Sequence, residues 1–388
     1  MKILFLDQSG TPGGAELCLL DIAKPYREHS TVGLLADGPF RKLLAEHKIP
    51  TTVFTTQAIN VRKESNLLTS LRSLGQLLPL VQTVAAAARS YDLIYANTPK
   101  ALVVGALASL LSRQPLVYHL HDIISPDHFS RINRTLLVSL ANRVAKLVIA
   151  NSQASQAAFI AAGGRSQLCE VVYNGFDSRR YAITPSETNR LRATLALSEG
   201  FWIGHFSRLS PWKGQHILLK ALTLCPKDTK AILVGDALFG EDDYVLELHQ
   251  QVERLGLQDR VKFLGFRSDI PQLMSVCDLV THTSTAPEPF GRVIVEAMLC
   301  GTPVVAAAAG GATELVDAGE NGWLCPPGDP ALLAKAILNC RKAPQQCQQI
   351  ALVAQKQARD RFDVSTVNAL IARHLQRVIS WETGPTGQ

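Results

Sequence analysis

The chain lacks the cysteine pattern of a disulfide or metal scaffold. Its eight cysteines stand singly along 388 residues, with Cys340 and Cys347 the nearest pair. No C-x-x-C and no Cys/His cluster of zinc spacing occurs. Reduced, mostly buried thiols in a cytoplasmic protein are the expectation. Long apolar runs are missing as well. The longest, LVVGALASLL at 102–111, is half of the roughly 20 residues a membrane-spanning helix needs. The N-terminus, MKILFLDQSG, turns polar at Asp7, too soon for a secretory leader, and reads as a first strand. No repeat of 20–50 residues and no low-complexity tract is present. G-x-G-x-x-G is absent too, which removes the dinucleotide-binding fingerprint.

What is there suits a globular protein of two or three domains, since 47% of the residues are apolar. The net charge of +6 is unevenly spread. Residues 1–185 carry 19 Lys/Arg against 12 Asp/Glu, a net of +7, and residues 186–388 carry 20 against 21, a net of −1. A basic first half points to an anionic partner, such as a phosphorylated acceptor or an anionic membrane surface. Simple solubility is the plain alternative.

Two series of short apolar runs alternate with helical patterns. KILFLD (2–7), TVGLLA (31–36), TTVF (51–54), YDLIYAN (91–97), PLVYHLH (115–121) and KLVIAN (146–151) form the first. FWIGHF (201–206), KAILVG (230–235), RVKFLG (260–265), CDLVTH (277–282), TPVVAA (302–307) and GWLC (322–325) form the second. Continuous apolar strands interleaved with helices predict parallel sheets covered on both faces, hence two doubly wound α/β domains. Polar, Pro-bearing DSRRYAITPSETNR (177–190) reads as their linker. The expected boundaries are 1–185 and 186–365, with a helix over 366–388 packing back on the first domain and ending in a loose tail. The helix over 66–89 contains Pro79, which predicts a kink or break there.

Ligands of such sheets bind outside the carboxyl ends of the strands, and the chemistry-bearing residues gather at those ends. QSGTPGGAE (8–16) is a glycine turn feeding a helix, suited to close approach by a phosphate or hydroxyl. His121 and Asp122 close PLVYHLHD, with His119 on the same strand face, so the pattern leaves the choice of histidine open. SRLSPWKG (207–214) sets Arg208 and Lys213 before a helix start, two cations fit for a diphosphate. In EPFGRVIVEA (288–297), Glu288 precedes a Pro-Phe-Gly turn and Glu296 lies about one and a half turns inside the following helix. One acid on sugar hydroxyls, a diphosphate at the helix N-terminus and a second acid on a ribose fit a nucleotide sugar. All fall at strand-to-helix junctions, and the joint reading is a cleft between two domains.

On these segments, together with YNGFD (173–177), LVGD (233–236), FLGF (263–266) and GTPVVA (301–306), the chain resembles the retaining glycosyltransferases of family 4. That family has two Rossmann-like domains facing each other across a cleft, the GT-B fold. The resemblance runs nearly the whole length, and its strongest element is E-x7-E after R-x4-K. It implies that Gly13 and Gly14 offer backbone to the donor phosphate and that His121 binds a distal hydroxyl of the transferred sugar. Arg208 and Lys213 would hold the diphosphate and stabilise the leaving nucleotide. Glu288 would bind sugar hydroxyls beside the backbone of Phe290, Gly291, Arg292 and Val293, Glu296 would accept the ribose hydroxyls, and Phe266 would meet the base. Where the family often has a further glycine after GD, Ala237 stands here. Arg292 lies either beside the phosphate or facing solvent.

The implied reaction moves a hexose from a UDP- or GDP-linked donor to a hydroxyl, with retention by front-face displacement. The acceptor would be a glycan, a lipid-linked sugar or a small molecule, in polysaccharide, glycolipid or cell-envelope glycan synthesis. No D-x-D occurs, so no metal and no other cofactor is expected, and nucleic acid is not an expected partner. Arg131, Arg134, Arg143 and Lys146 around Leu136, Leu137, Val138, Leu140 and Val144 suggest a basic amphipathic helix in peripheral contact with an anionic membrane, at its cytoplasmic face. The alternatives are a sugar-nucleotide 2-epimerase of the same fold and a phosphorolytic enzyme.

Overall fold

The computed structural model describes residues 1–8, 10–55, 67–237 and 240–383. The chain divides into two compact units: residues 1–175 together with 364–388, and residues 176–363. The first is built on β1 (Ile3–Asp7), β2 (Thr31–Leu34), β3 (Thr51–Val53), β4 (Leu93–Ala96), β5 (Leu116–Leu120), β6 (Ala145–Ala150) and β7 (Cys169–Val171). They form a seven-stranded sheet in the order β3-β2-β1-β4-β5-β6-β7, with every pairing parallel. The order reverses direction between β1 and β4, the place where such sheets open a ligand crevice. β7 was not expected. At three residues it is too short and too interrupted by Glu170 to stand out from its surroundings.

The second unit repeats the plan with β8 (Phe201–Phe206), β9 (Thr229–Val234), β10 (Val261–Phe263), β11 (Leu279–His282), β12 (Val304–Ala307) and β13 (Trp323–Cys325). Its six strands run β10-β9-β8-β11-β12-β13, all parallel, and the reversal lies between β8 and β11. The α/β class and the twin doubly wound plan are therefore as expected.

Two expectations need correction. The helix Leu67–Ala88 runs unbroken through Pro79. Pro79 removes one backbone donor, and burial of Leu80, Val81, Val84, Ala85 and Ala88 in the first unit's core holds the helix beyond it. The stretch 177–190 is not a linker between units. The chain crosses at Gly175/Phe176 and again at Asp363/Val364. Residues 177–190 open the second unit instead, because Thr184 and Glu187 form a capping box with Pro185 in the first turn. Polarity there serves helix initiation. The Arg131–Val144 helix is amphipathic, as expected, and turns one apolar side inward: Leu137 and Val138 are buried, and Leu140 and Val144 pack against the same core. Ile132 and Leu136 remain exposed, at 80% and 47%.

The helix Val364–Thr383 belongs to the first unit. Its Val367, Ile371, Leu375 and Val378 are buried with Phe5, Leu19, Tyr95 and Val117. Each such side chain contributes about 1.5–3 kcal/mol when fully buried. Of the tail expected to be loose, Glu382 and Thr383 are helical and 384–388 lie outside the described residues. No described helix is long and apolar enough to cross a membrane.

Candidate active site

In the second unit, the loops leaving β8 and β11 are stitched together at the reversal point. The Thr283 hydroxyl donates to the carbonyls of Lys213 and Gly214 at 3.0 and 2.9 Å. The amide of Thr285 donates to the Trp212 carbonyl at 2.7 Å. Gly214 has φ +73, and a Cβ there would stand 2.0 Å from the Thr283 carbonyl oxygen, so no other residue fits. Buried Gln215 opens the helix Gln215–Thr223. Its amide donates to the Ser207 hydroxyl at 2.8 Å and the Arg208 carbonyl at 2.9 Å, while its oxygen accepts from the Tyr244 hydroxyl at 3.2 Å. The Arg208 backbone is held in place by these bonds.

Lys213 and Glu288, expected as separate site residues, form a close ion pair. The ammonium lies 2.8 and 3.1 Å from the two carboxylate oxygens and 3.9 Å from the centroid of the Trp212 ring. The Arg208 guanidinium is 5.7 Å from the same ring, so Trp212 binds both cations through its π-face. Ser284 donates to Glu288 at 3.0 Å, and His282 Nε2 lies 3.1 Å away. Burial pushes the Glu288 carboxyl up, but the Lys213 charge and the His282 hydrogen bond outweigh it and hold the group well below the usual carboxylate range. Glu288 is thus an obligate anion, able to accept from hydroxyls and unfit to act as a general acid.

The backbone of Glu288 is braced as firmly. Its carbonyl accepts from the Gly311 amide at 2.7 Å, and Glu288 bridges Gly310, whose φ is +63 and where a Cβ would meet Glu288 oxygen at 2.3 Å. Phe290 is 2% exposed. Its ring stacks on Phe176 at 6.3 Å and meets Phe362 edge-on at 5.8 Å, so this residue offers backbone and not its ring. Gly291, at φ +97, caps the helix Arg292–Leu299. Val293 and Glu296 are half-buried on that helix. Arg292 donates to Glu296 at 3.3 Å and its guanidinium lies 4.4 Å over the Phe176 ring, so it is packed and does not face solvent. Phe266, on the loop after β10, is 66% exposed. The Ala237 amide is bonded to Asp236 at 2.9 Å; Leu238 and Phe239, in the same unusual run, lie outside the described residues.

In the first unit, polar residues converge at the β1/β4 reversal point. Asn97, closing β4, donates to Asp7 at 2.7 Å and to the Ala15 carbonyl at 3.1 Å. Its amide oxygen, so oriented, takes the Nε2–H of His121 at 2.9 Å, which leaves the lone pair of neutral His121 on Nδ1. The two histidines of this strand face have different surroundings. His119 is buried, 2.7 Å from the Tyr95 hydroxyl, and burial lowers its pKa to about 3. His121 is half-buried at the strand's carboxyl edge.

Gly13 and Gly14 start the helix Gly14–Ala23, and the Gly13 amide donates to the Glu16 carboxylate at 2.9 Å. Burial and the neighbouring Asp7 charge push the Glu16 carboxyl up to about 8. An acid with a raised folded pKa holds its proton after the unfolded chain has lost it. Stability should therefore fall as pH rises from about 4.5 to 8. Glu16→Gln, neutral throughout, is expected to melt at a more nearly constant temperature across that window. A wild-type melting temperature flat from pH 5 to 8 would contradict this.

Motif reading missed Asp7, Asn97, Gln215, His282 and Ser284. For Asp7, Asn97, His282 and Ser284 the signal was available: a polar residue closing, or just following, an apolar strand. Gln215 carried none.

Comparison with known proteins accords with this geometry. Residues 12–180 match the family described as Glycosyltransferase Family 4, and residues 188–357 match Glycosyl transferases group 1. N-acetyl-alpha-D-glucosaminyl L-malate synthase of Bacillus anthracis is 32% identical over 176 residues, 45% of this chain and 44% of that one. The chain spans about half the length of the first curated relatives it matches. Alr3699/HepE of Anabaena, solved in complex with UDP-glucose, is 63% identical with a TM-score of 0.91, covering 97% of this chain and 100% of that chain. WaaG, a glycosyltransferase involved in lipopolysaccharide biosynthesis, shares the fold at 16% identity and a TM-score of 0.72, covering 95% of this chain and 98% of its own. With its two parallel-sheet domains of GT-B type and both matched segments, the chain belongs to the family 4, group 1 glycosyl transferases.

Proposed function

We propose that the chain is a retaining hexosyltransferase that uses a UDP-linked sugar, with UDP-glucose as the first candidate, and moves the sugar to a hydroxyl acceptor. The observation that carries this reading is the Lys213–Glu288 pair with Ser284 and His282, set where the second unit's strand order reverses and next to the Arg292–Leu299 helix start. A fixed anion there suits sugar hydroxyls, and Lys213 with Arg208 suits a diphosphate. The 63% identity to a protein solved with UDP-glucose, and also with UDP and glucose, supports UDP as the donor nucleotide. In this reading Glu296 accepts the ribose hydroxyls, the Gly13–Gly14 turn meets the donor phosphate, and His121 takes a sugar hydroxyl at its Nδ1 lone pair.

No carboxylate in this scheme acts as nucleophile. The leaving phosphate, neutralised by Arg208 and Lys213, deprotonates the acceptor on the same face, which retains configuration. The charge compensation comes from side chains and helix N-termini, so no metal is needed. UDP release from UDP-glucose with a glycan, lipid-linked or small-molecule acceptor should therefore continue undiminished in EDTA. Loss of turnover restored by Mg²⁺ or Mn²⁺ would overturn the metal-free scheme.

We place the reaction in polysaccharide, glycolipid or cell-envelope glycan synthesis, on the cytoplasmic side, a compartment that suits eight thiols outside any disulfide. Exposed Ile132 and Leu136 beside exposed Arg131 support peripheral contact with an anionic membrane. Liposomes containing anionic lipid should sediment the protein at low salt, and Ile132→Glu should weaken this several-fold. Failure to sediment at low ionic strength would remove the membrane contact.

A further inference from the structure

We propose that Cys18, His119 and His121 form a binding site for a thiophilic cation, with Zn²⁺ as its probe, and that filling it switches off donor binding at His121. Cys18 is buried on the Gly14–Ala23 helix. His119 and His121 stand two positions apart, hence on the one sheet face that this helix covers. Their rings lie 3.9 Å apart between centroids, tilted by 41°. One ligand atom from each of the three residues lies within 4.8 Å of the other two.

The ring nitrogens are set up for a metal. His119 Nδ1 is engaged by the Tyr95 hydroxyl at 2.7 Å, while its Nε2 is buried with no hydrogen-bond partner. A buried polar atom left unsatisfied calls for an explanation. Here Nδ1–H donating to Tyr95 leaves the lone pair on Nε2, the arrangement of a metal-bound histidine oriented by an outer hydrogen bond. On the other ring, Nε2–H donated to Asn97 puts the lone pair on Nδ1. Cys18 Sγ sits 3.3 Å from Asn174 Oδ1, which provides a fourth oxygen ligand or a hydrogen-bond partner for water in that place.

Zinc bonds of about 2.3 Å to sulfur and about 2.0–2.1 Å to nitrogen put neighbouring ligand atoms roughly 3.3–3.6 Å apart. The three groups must therefore close by about 1 Å, within reach of side-chain rotation. On binding, the Cys18 thiol releases its proton to solvent and the thiolate–metal bond takes its place. One soft thiolate and two imidazole nitrogens, with no carboxylate, select Zn²⁺ and its neighbours over Mg²⁺ or Ca²⁺. Because the cation takes the His121 lone pair, the site opposes sugar binding; it has no part in the transfer itself.

The test is Co²⁺ titration of the metal-stripped full chain. A thiolate-to-cobalt charge-transfer band in the near ultraviolet should grow to one equivalent, be displaced by Zn²⁺, and be absent in Cys18→Ser and strongly reduced in His119→Gln. Melting temperatures establish that both variants fold, and Cys18→Ser should keep the metal-free transfer rate. Micromolar free Zn²⁺ should slow wild-type transfer at least tenfold, reversibly by chelator, with Cys18→Ser at least tenfold less sensitive. No band, or a band retained in Cys18→Ser, overturns the site. A band without zinc inhibition overturns the switch. The absorption measurement does not depend on the proposed donor chemistry, whereas the inhibition arm rests on it, so the two failures are distinguishable.

Discussion

Lys213→Ala is expected to lower turnover on the UDP-sugar by at least about 10²-fold, the scale of losing one charge-stabilising group at a developing anion. The same substitution strands the Glu288 carboxylate, buried with Ser284 and His282 but without its cation. Removing one partner of a buried pair typically costs about 3–5 kcal/mol. The two effects separate by pH and by a second substitution. In the wild type the depressed Glu288 pKa contributes stability that is fully present above the unfolded carboxyl pKa and is lost as pH falls through the lower folded value. In Lys213→Ala that contribution is gone, so the stability deficit should be largest near neutrality and shrink in acid. Lys213→Ala combined with Glu288→Gln should recover much of the melting temperature and none of the turnover. Wild-type kcat/KM in a destabilised Lys213→Ala protein would make the pair a structural ion bridge and remove it from the chemistry.

The second large effect is on binding. Without metal, UDP at about 100 times its Kd should add roughly 2.7 kcal/mol of stability. For domains of this size that corresponds to about 5–10 °C in melting temperature. GDP and ADP should give much less. Glu296→Ala should weaken the UDP shift; because the Arg292–Glu296 contact at 3.3 Å is largely shielded from solvent, the melting temperature of the unliganded variant is measured first to establish that it folds. A flat nucleotide panel on a folded protein, or an undiminished shift in Glu296→Ala, would sink the donor assignment.

The sequence made the sheets legible because both are buried on two faces, which leaves continuous apolar runs such as ILFLD and FWIGHF. It hid what depends on contacts distant in the chain. Gln215 looks like any helix polar residue until Ser207, Arg208 and Tyr244 gather around it. Glu288 was visible as a motif acid, but what holds it ionised is the Lys213 charge and the His282 hydrogen bond, which come from two other strand ends. Arg292 could be read two ways because helical position alone does not reveal Phe176, 116 residues earlier, beneath its guanidinium. The linker was misread because composition does not separate a loop from a helix start. Capping chemistry does, and T-P-S-E at 184–187 spelled it out.

The placement of the last helix bears on synthesis. Ile371 and Leu375 complete the core around Phe5 and Tyr95, and residues 176–363 lie between them in the chain. On the ribosome, the half translated first cannot close its own core until the final stretch has emerged. The half translated second is contiguous and can fold as soon as its last strand and following helices are out. The expected order of folding is thus opposite to the order of synthesis. A nascent chain stalled before residue 364 would display an unfinished apolar face on β1, β4 and β5, a surface for chaperones to cover.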